Sequence, residues 1–268
     1  MATNKKTVLI TGASAGIGAA FADVFARNQW DLVLTARRED RLKDLADKLR
    51  TQYGCDVETI QADLAKPEAP QHIFDQLQAN NTKLQGLVNN AGYGVPGYYT
   101  GTPWQQQQDF IQVLVTAVAH LCHLFLPHMV EQGYGRIINV SSINGLLPCS
   151  PGQTLYSGAK SFVVGLSQTL HAEAGKHGVH VNALCPGLTY TEFHDVTGTR
   201  EMVNRVPKSQ WSTAEEVAAQ GYQAVMRGDL LCVPGRSSKV AALAAKFLPN
   251  SLMVKMMTEQ SKKIRRSD

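Results

Sequence analysis

Short β-rich runs alternate with helical stretches along most of this chain, and that alternation restricts the fold more than any other feature. Thr7–Thr11, Asp31–Thr35, Val57–Gln61, Leu84–Asn89, Arg136–Val140, Val179–Leu184 and Leu230–Val233 read as strands. Between them, Ala19–Asn28, Arg38–Tyr53, Pro67–Ala79, Pro103–Glu131 and Leu155–Lys176 read as helices. In Arg38–Tyr53, Leu42, Leu45 and Leu49 recur at helical spacing with charges on the other faces. Such a pattern implies right-handed βαβ crossovers and a parallel sheet covered on both faces. The chain has no internal repeat and no Gly/Ser linker, so a single α/β domain is the economical expectation. In such a sheet, ligands sit beyond the carboxyl ends of the strands, where strand order reverses.

Composition supports one large core. Of 268 residues, 44% are hydrophobic and 18% charged, so the chain is neither disordered nor dependent on a metal or disulfide staple. The first residues, Met1-Ala-Thr-Asn-Lys-Lys6, lack an apolar signal region. The longest apolar stretch, Phe110–Leu126, is interrupted by Gln112, Thr116, His120 and His123 and is expected to be a buried helix, with no membrane partner. Five scattered cysteines without a C-x-x-C pair suit reduced thiols and a cytoplasmic setting. The histidines show no metal-ligand spacing, so no metal is expected. Net charge is 26 − 22 = +4. Residues 255–268 carry five Lys/Arg against two acids, 5 − 2 = +3, so the excess sits in the tail. No aromatic residue is interleaved there for base stacking, and no nucleic-acid partner is expected. A basic tail on an acidic lipid surface is the minor alternative.

The chemistry-bearing residues fall at strand ends. Thr11-Gly12-Ala13-Ser14-Ala15-Gly16-Ile17-Gly18 joins the first strand to the first helix. Glycines allow a tight turn and a close backbone approach to a pyrophosphate, and the helix amino terminus favours the anion. After the second strand, where a carboxylate would select the ribose 2′-hydroxyl of NAD, the chain has Ala36 followed by Arg37 and Arg38. Guanidinium groups suit a 2′-phosphate, so NADP(H) is expected. Tyr156 and Lys160 stand four residues apart on one helical face. A neighbouring ammonium and an oxidised nicotinamide both favour phenolate, and are expected to lower the tyrosine pKa toward the range of an acid–base catalyst. Ser142 lies fourteen residues before Tyr156, at the end of the fifth strand, where its hydroxyl can bond a substrate oxygen. Ser141 is read as a strand-end cap.

Taken together, these residues resemble the short-chain dehydrogenase/reductase family. Four motifs match in order: Thr11 to Gly18, Asn89-Asn90-Ala91-Gly92, Ser142 with Tyr156-x-x-x-Lys160, and Pro186-Gly187-Leu188-Thr189-Tyr190-Thr191. The likeness spans about residues 5–235. It implies a Rossmann-like, doubly wound sheet of seven parallel strands with helices on both faces. It also implies hydride transfer between a nicotinamide and a carbonyl or secondary-alcohol carbon. By that resemblance Tyr156 is the proton donor, Lys160 lowers its pKa and holds the nicotinamide ribose, and Ser142 positions the substrate oxygen. Gly12, Ser14, Ala15, Gly16, Ile17 and Gly18 would hold the pyrophosphate. Asp63 and Leu64 would flank the adenine. Asn90, Ala91 and Gly92 would line the cofactor cleft, and Pro186, Gly187, Thr189 and Thr191 would meet the carboxamide and phosphates.

Two departures from the family pattern stand out. Thirteen residues before Pro127, where many members carry an asparagine that helps a water relay reach the lysine, this chain has Leu114. The Ser-to-Tyr spacing is one residue longer, with the extra residue placed in Leu147–Thr154. Residues 192–212 are expected to form a substrate lid and 236–268 a helical extension around Pro249. Phe193, His194, Tyr190, Tyr98, Tyr99 and Trp104 are candidates for the pocket wall. The family implies a homodimer or homotetramer acting on a small carbonyl or alcohol substrate, here hydrophobic. The alternative is an inactive NADP(H)-binding sensor, which Leu114 alone supports.

Overall fold

A computed structural model describes residues 5–95, 98–149, 152–153, 155–193, 204 and 206–265. Seven strands form one parallel sheet: β1 (Thr7–Thr11), β2 (Asp31–Ala36), β3 (Val57–Gln61), β4 (Gly86–Asn89), β5 (Gly135–Val140), β6 (Val179–Leu184) and β9 (Leu231–Cys232). Their order is β3-β2-β1-β4-β5-β6-β9. The direction of winding reverses between β1 and β4, so the crevice for a ligand opens beyond Thr11 and Asn89. The central strands are almost wholly buried and apolar, as a sheet covered on both faces requires.

Helices α1 (Gly16–Arg27), α2 (Glu39–Tyr53) and α7 (Ala214–Arg227) cover one face, where Phe21, Phe25, Leu42, Leu49 and Val217 meet Val8, Ile10 and Leu34. On the other face lie α3 (Ala69–Ala79), α5 (Ala117–Glu131) and α6 (Tyr156–Ala174), with Ile73, Leu121 and Phe125 against Leu9, Val33 and Leu87. Local chemistry stops the helices. Gly54 ends α2 and Gly228 ends α7 in the left-handed conformation. A capping box, Thr213 with Glu216, opens α7.

The long helical stretch runs from α4 (Trp104–Ile111) into α5 through a π-helical turn at Gln112–Thr116. By length and composition Trp104–Glu131 is apolar enough to cross a membrane, and its polar interruptions do not by themselves decide otherwise. Its buried face, Phe110, Leu114, Leu121 and Phe125, belongs to the core beneath the sheet.

Boundaries differ from the sequence reading by one to three residues. The first helix begins at Gly16 rather than Ala19, because the glycine turn itself enters the helix. At its other end, α6 tightens after Ala174 into a 3₁₀ turn, Gly175–His177. A second sheet was not anticipated. It pairs β7 (Thr189–Tyr190) with β8 (Ser212–Thr213), two residues each, too short to show any periodicity. Past β9, the extension forms α8 (Arg236–Phe247) and α9 (Asn250–Arg265) on either side of Pro249.

Candidate active site

The glycine turn is held by hydrogen bonds from the fourth strand's end. Thr11 Oγ1 donates to the Val88 carbonyl at 3.3 Å and accepts from the N–H groups of Asn90 at 2.9 Å and Ala91 at 3.0 Å. The Asn90 side-chain amide donates to the carbonyls of Thr11 at 2.9 Å and Gly12 at 3.3 Å. Asn90 therefore secures the turn and does not offer its amide to the cleft, whereas the exposed Gly92 opens onto it. Glycine is obligatory at two points here. Gly12 has φ +65°, and a β-carbon on it would lie 2.8 Å from the Ala91 α-carbon. A β-carbon on Gly18 would collide with the Gly12 carbonyl oxygen and lie 2.6 Å from Asn90 Nδ2. Ala15 caps α1 without a side-chain hydrogen bond, and no acid occupies the first turn. The result is a bare, positively polarised helix terminus beside a side-chain-free turn, which fits a dinucleotide pyrophosphate.

At the end of β2, only one of the two expected arginines engages the glycine turn. The Arg38 guanidinium donates to Ser14 Oγ from Nε at 3.3 Å and from Nη2 at 3.1 Å. Arg37 is exposed and makes no ion pair among the described residues. Two further residues join Arg38 that the sequence reading did not single out. Glu192 accepts from Arg38 Nη1 at 3.1 Å and from Arg41 Nη1 at 2.8 and 3.0 Å. Arg41 and then Arg38 hold the Glu192 carboxyl below the ordinary carboxylate range. Arg41 was findable, since it follows Arg38 by three residues and so shares its helical face. Glu192 is 154 residues from Arg38 and carries no local signal.

The other expected cofactor contacts divide. Asp63 follows β3, where its carboxylate accepts from the Ala65 N–H at 3.1 Å. Leu64 is buried within the core. The carbonyl of Pro186 accepts from the Ile143 N–H at 2.8 Å, and Thr189 donates to the Gly187 carbonyl at 3.1 Å. Thr191 lies against the glycine turn, its Cγ2 3.1 Å from where a Gly16 β-carbon would stand. Ser238 at the start of α8 fills the space where a Gly187 side chain would go, so the extension packs against the end of β6.

Ser142, Tyr156 and Lys160 do come together. Ser141 donates to the Lys160 carbonyl at 2.7 Å, fastening α6 to β5 rather than capping the strand. Ser142 caps a 3₁₀ turn, accepting from the Asn144 N–H at 3.2 Å, a structural role expected of Ser141 instead. Its hydroxyl also faces the Tyr156 phenol, near enough to pull that phenol's pKa down. Lys160 is buried, its ammonium donating to the Val140 carbonyl at 2.8 Å and standing 5.8 Å from the Tyr156 ring centre. Burial brings Lys160 down to about 8. For Tyr156 the expected lowering is not found. Burial raises the phenol, Ser142 pulls it partly back, and Lys160, itself desolvated and turned toward Val140, does not contribute.

The pocket wall is only partly the one expected. Phe193 does stand beside Tyr156, ring centres 6.1 Å apart, but the other rings around that tyrosine are Phe110, 6.4 Å from Tyr156, and Tyr93, 5.6 Å from Phe110. Tyr98, Tyr99 and Trp104 are exposed, and Tyr190 stacks on Trp211 at 4.5 Å. His194, most of the expected lid (194–203 and 205) and residues 150, 151 and 154 of the Leu147–Thr154 loop lie outside the described residues. Leu114 is buried in the π-turn. A methyl built on Gly92 would touch Leu114 Cγ at 3.7 Å and Lys160 Nζ at 3.8 Å, so Gly92 borders both side chains. Beneath the site, a buried polar chain was also missed: Asn89 donates to Asn139 at 2.8 Å, and Asn139 to Ser167 at 3.0 Å.

A bare helix terminus at the crevice, with a Ser-Tyr-Lys cluster on the neighbouring strand and helix, defines a dinucleotide-binding oxidoreductase on a Rossmann-like sheet. The short chain dehydrogenase family model matches residues 6–201, and the chain belongs to that family. Among solved structures, a short-chain dehydrogenase from Sphingobium yanoikuyae in complex with NADPH is 34% identical, with a TM-score of 0.81 over 90% of this chain and 93% of that one. A bulky-bulky ketone specific alcohol dehydrogenase from Comamonas testosteroni is 31% identical, with a TM-score of 0.75 over 87% of each chain. A family member from Burkholderia phymatum in complex with NAD is 27% identical, with a TM-score of 0.79 over 89% of this chain and 92% of that one. The chain is thus similar to proteins that hold either nicotinamide dinucleotide.

Proposed function

We propose that this protein is an NADP(H)-dependent carbonyl reductase or secondary-alcohol dehydrogenase acting on a hydrophobic ketone or aldehyde. The observation that carries this reading is the convergence of Ser142 and Tyr156 beside a buried Lys160 and an aromatic wall of Phe110 and Phe193. When bound, the dinucleotide supplies a hydride to the substrate carbon. Ser142 orients the substrate oxygen with its hydroxyl. Tyr156 gives that oxygen its phenolic proton, so the carbonyl gains one hydride and one proton and becomes an alcohol; the reverse direction returns both. Lys160 holds the nicotinamide ribose, and the positive charge of an oxidised nicotinamide, when bound, offsets the burial that raises the phenol. Gly12 to Gly18 and the amino terminus of α1 hold the pyrophosphate. Arg38, already on Ser14, is the residue for a 2′-phosphate.

The apolar wall supports a hydrophobic substrate, as does the likeness to a ketone-specific relative. The second reading, a binding protein without turnover, rests on Leu114 standing where many family members carry an asparagine. Absorbance at 340 nm with NADPH or NADP⁺ and a panel of ketones, aldehydes and alcohols separates the two. Tyr156→Phe is expected to lower kcat at least ~100-fold with little change in NADPH affinity. A variant as fast as the parent would refute the assigned mechanism.

A further inference from the structure

The segment after β6 ends in a contact that the proposed reaction does not use. β7 pins its root through pairing of Thr189 and Tyr190 with Ser212 and Thr213. Thr191 then lies on Gly16, and Glu192 reaches the first turn of α2. There its carboxylate takes three N–H contacts from Arg38 and Arg41, while Arg38 is also seated on Ser14. The arrangement is an anion held between two guanidiniums, one of them seated on the Ser14 hydroxyl, at the edge of the glycine turn where the adenosine ribose would end.

We propose that Glu192 is a cofactor-specificity residue whose carboxylate occupies the 2′-phosphate site. The phosphate displaces it and takes its place on Ser14, Arg38 and Arg41, so Arg41 is a second phosphate ligand. This rests on the NADP(H) reading above. The exchange favours the phosphate for two reasons. A phosphate monoester carries nearly two negative charges at pH 7 and three acceptor oxygens, against one charge and two oxygens. The contacts given up are also inexpensive, since Arg38, Arg41 and Glu192 are each more than 40% exposed. A dinucleotide without the phosphate has nothing to displace Glu192 with, and leaves the pair closed.

Calorimetric titration with adenosine 2′,5′-bisphosphate, 5′-AMP, NADPH and NADH tests the proposal without turnover. Glu192→Gln keeps the shape and removes the charge. It is expected to tighten the bisphosphate and NADPH about three- to tenfold at low salt, with 5′-AMP and NADH within about twofold. The gain should shrink toward nothing in 0.5 M salt, because exposed charges are screened. Arg41→Ala is expected to weaken the bisphosphate and leave 5′-AMP unchanged. If Glu192→Gln leaves the bisphosphate unchanged while Arg38→Ala weakens it, the carboxylate is no competitor, and this proposal falls while the NADP(H) reading stands. If Glu192→Gln weakens NADH instead, the residue is a ribose acceptor and the proposal is overturned. Equal binding of NADPH and NADH by the parent, unaffected by Arg38→Ala, would remove both.

Discussion

Replacing Lys160 by methionine should stabilise the protein at neutral pH while abolishing its proposed activity. The ammonium is buried, with one carbonyl partner, Val140, among the described residues. Burial lowers it from 10.5 to about 8. At about 1.36 kcal/mol per pH unit, keeping it charged in the folded state costs roughly 3 kcal/mol below pH 8. Methionine removes that cost and fills similar volume, but leaves the Val140 carbonyl without its donor, which returns about 1 kcal/mol. A net gain of ~2 kcal/mol at pH 7 is expected, read as a higher urea midpoint at unchanged slope. The pH dependence is the sharper test. The folded value lies below the unfolded one, so between about pH 8 and 10.5 the unfolded chain binds more protons and lysine's cost is relieved as pH rises. The variant's advantage should therefore shrink by about 1 kcal/mol between pH 7 and pH 9. Tyr156 and Cys122 are raised by burial and act oppositely at high pH, but both proteins contain them and the difference cancels them; Cys185, which Lys160 pulls partly down from its burial-raised value, is still held up at about 12 and stays protonated from pH 7 to 9 in either protein. A variant less stable than the parent at pH 7, or an advantage independent of pH, would refute the reasoning.

Two further outcomes test the frame around the site. Gly18→Ala should cost about 2 kcal/mol or more in urea unfolding and abolish NADPH binding by calorimetry, because its β-carbon meets the Gly12 carbonyl and the Asn90 amide, which are fixed to each other. An unchanged midpoint would mean that the turn yields. Thr213→Ala should lower stability by ~1 kcal/mol, because Thr213 Oγ1 accepts from the Glu216 N–H and Glu216 returns the bond to the Thr213 N–H, both at 3.1 Å. Thr213→Ser should restore most of that loss.

Much of this protein can be read from local sequence. Strand runs, helical spacing and the glycine turn are short-range patterns. The steric demands at Gly12 and Gly18 come from one connection between a strand and a helix. Tyr156 and Lys160 are one turn apart on a single helix, so their common face follows from helical geometry alone. What local pattern could not settle is which polar groups meet across the fold. Ser141 and Ser142 are adjacent and chemically identical, yet one fastens α6 and the other meets the tyrosine, because successive residues at a strand's end face different neighbours. The Tyr156 phenol is raised because burial depends on everything packed around it, whereas the presence of Lys160 four residues on is a fact of sequence. Arg37 and Arg38 recommended themselves as an anion site by charge, but Arg41, not Arg37, is the one that joins Arg38. That Glu192 answers them was decided only when β6 delivered the chain across the glycine turn, since an ion pair between residues 154 apart depends on tertiary distance and leaves no periodic trace.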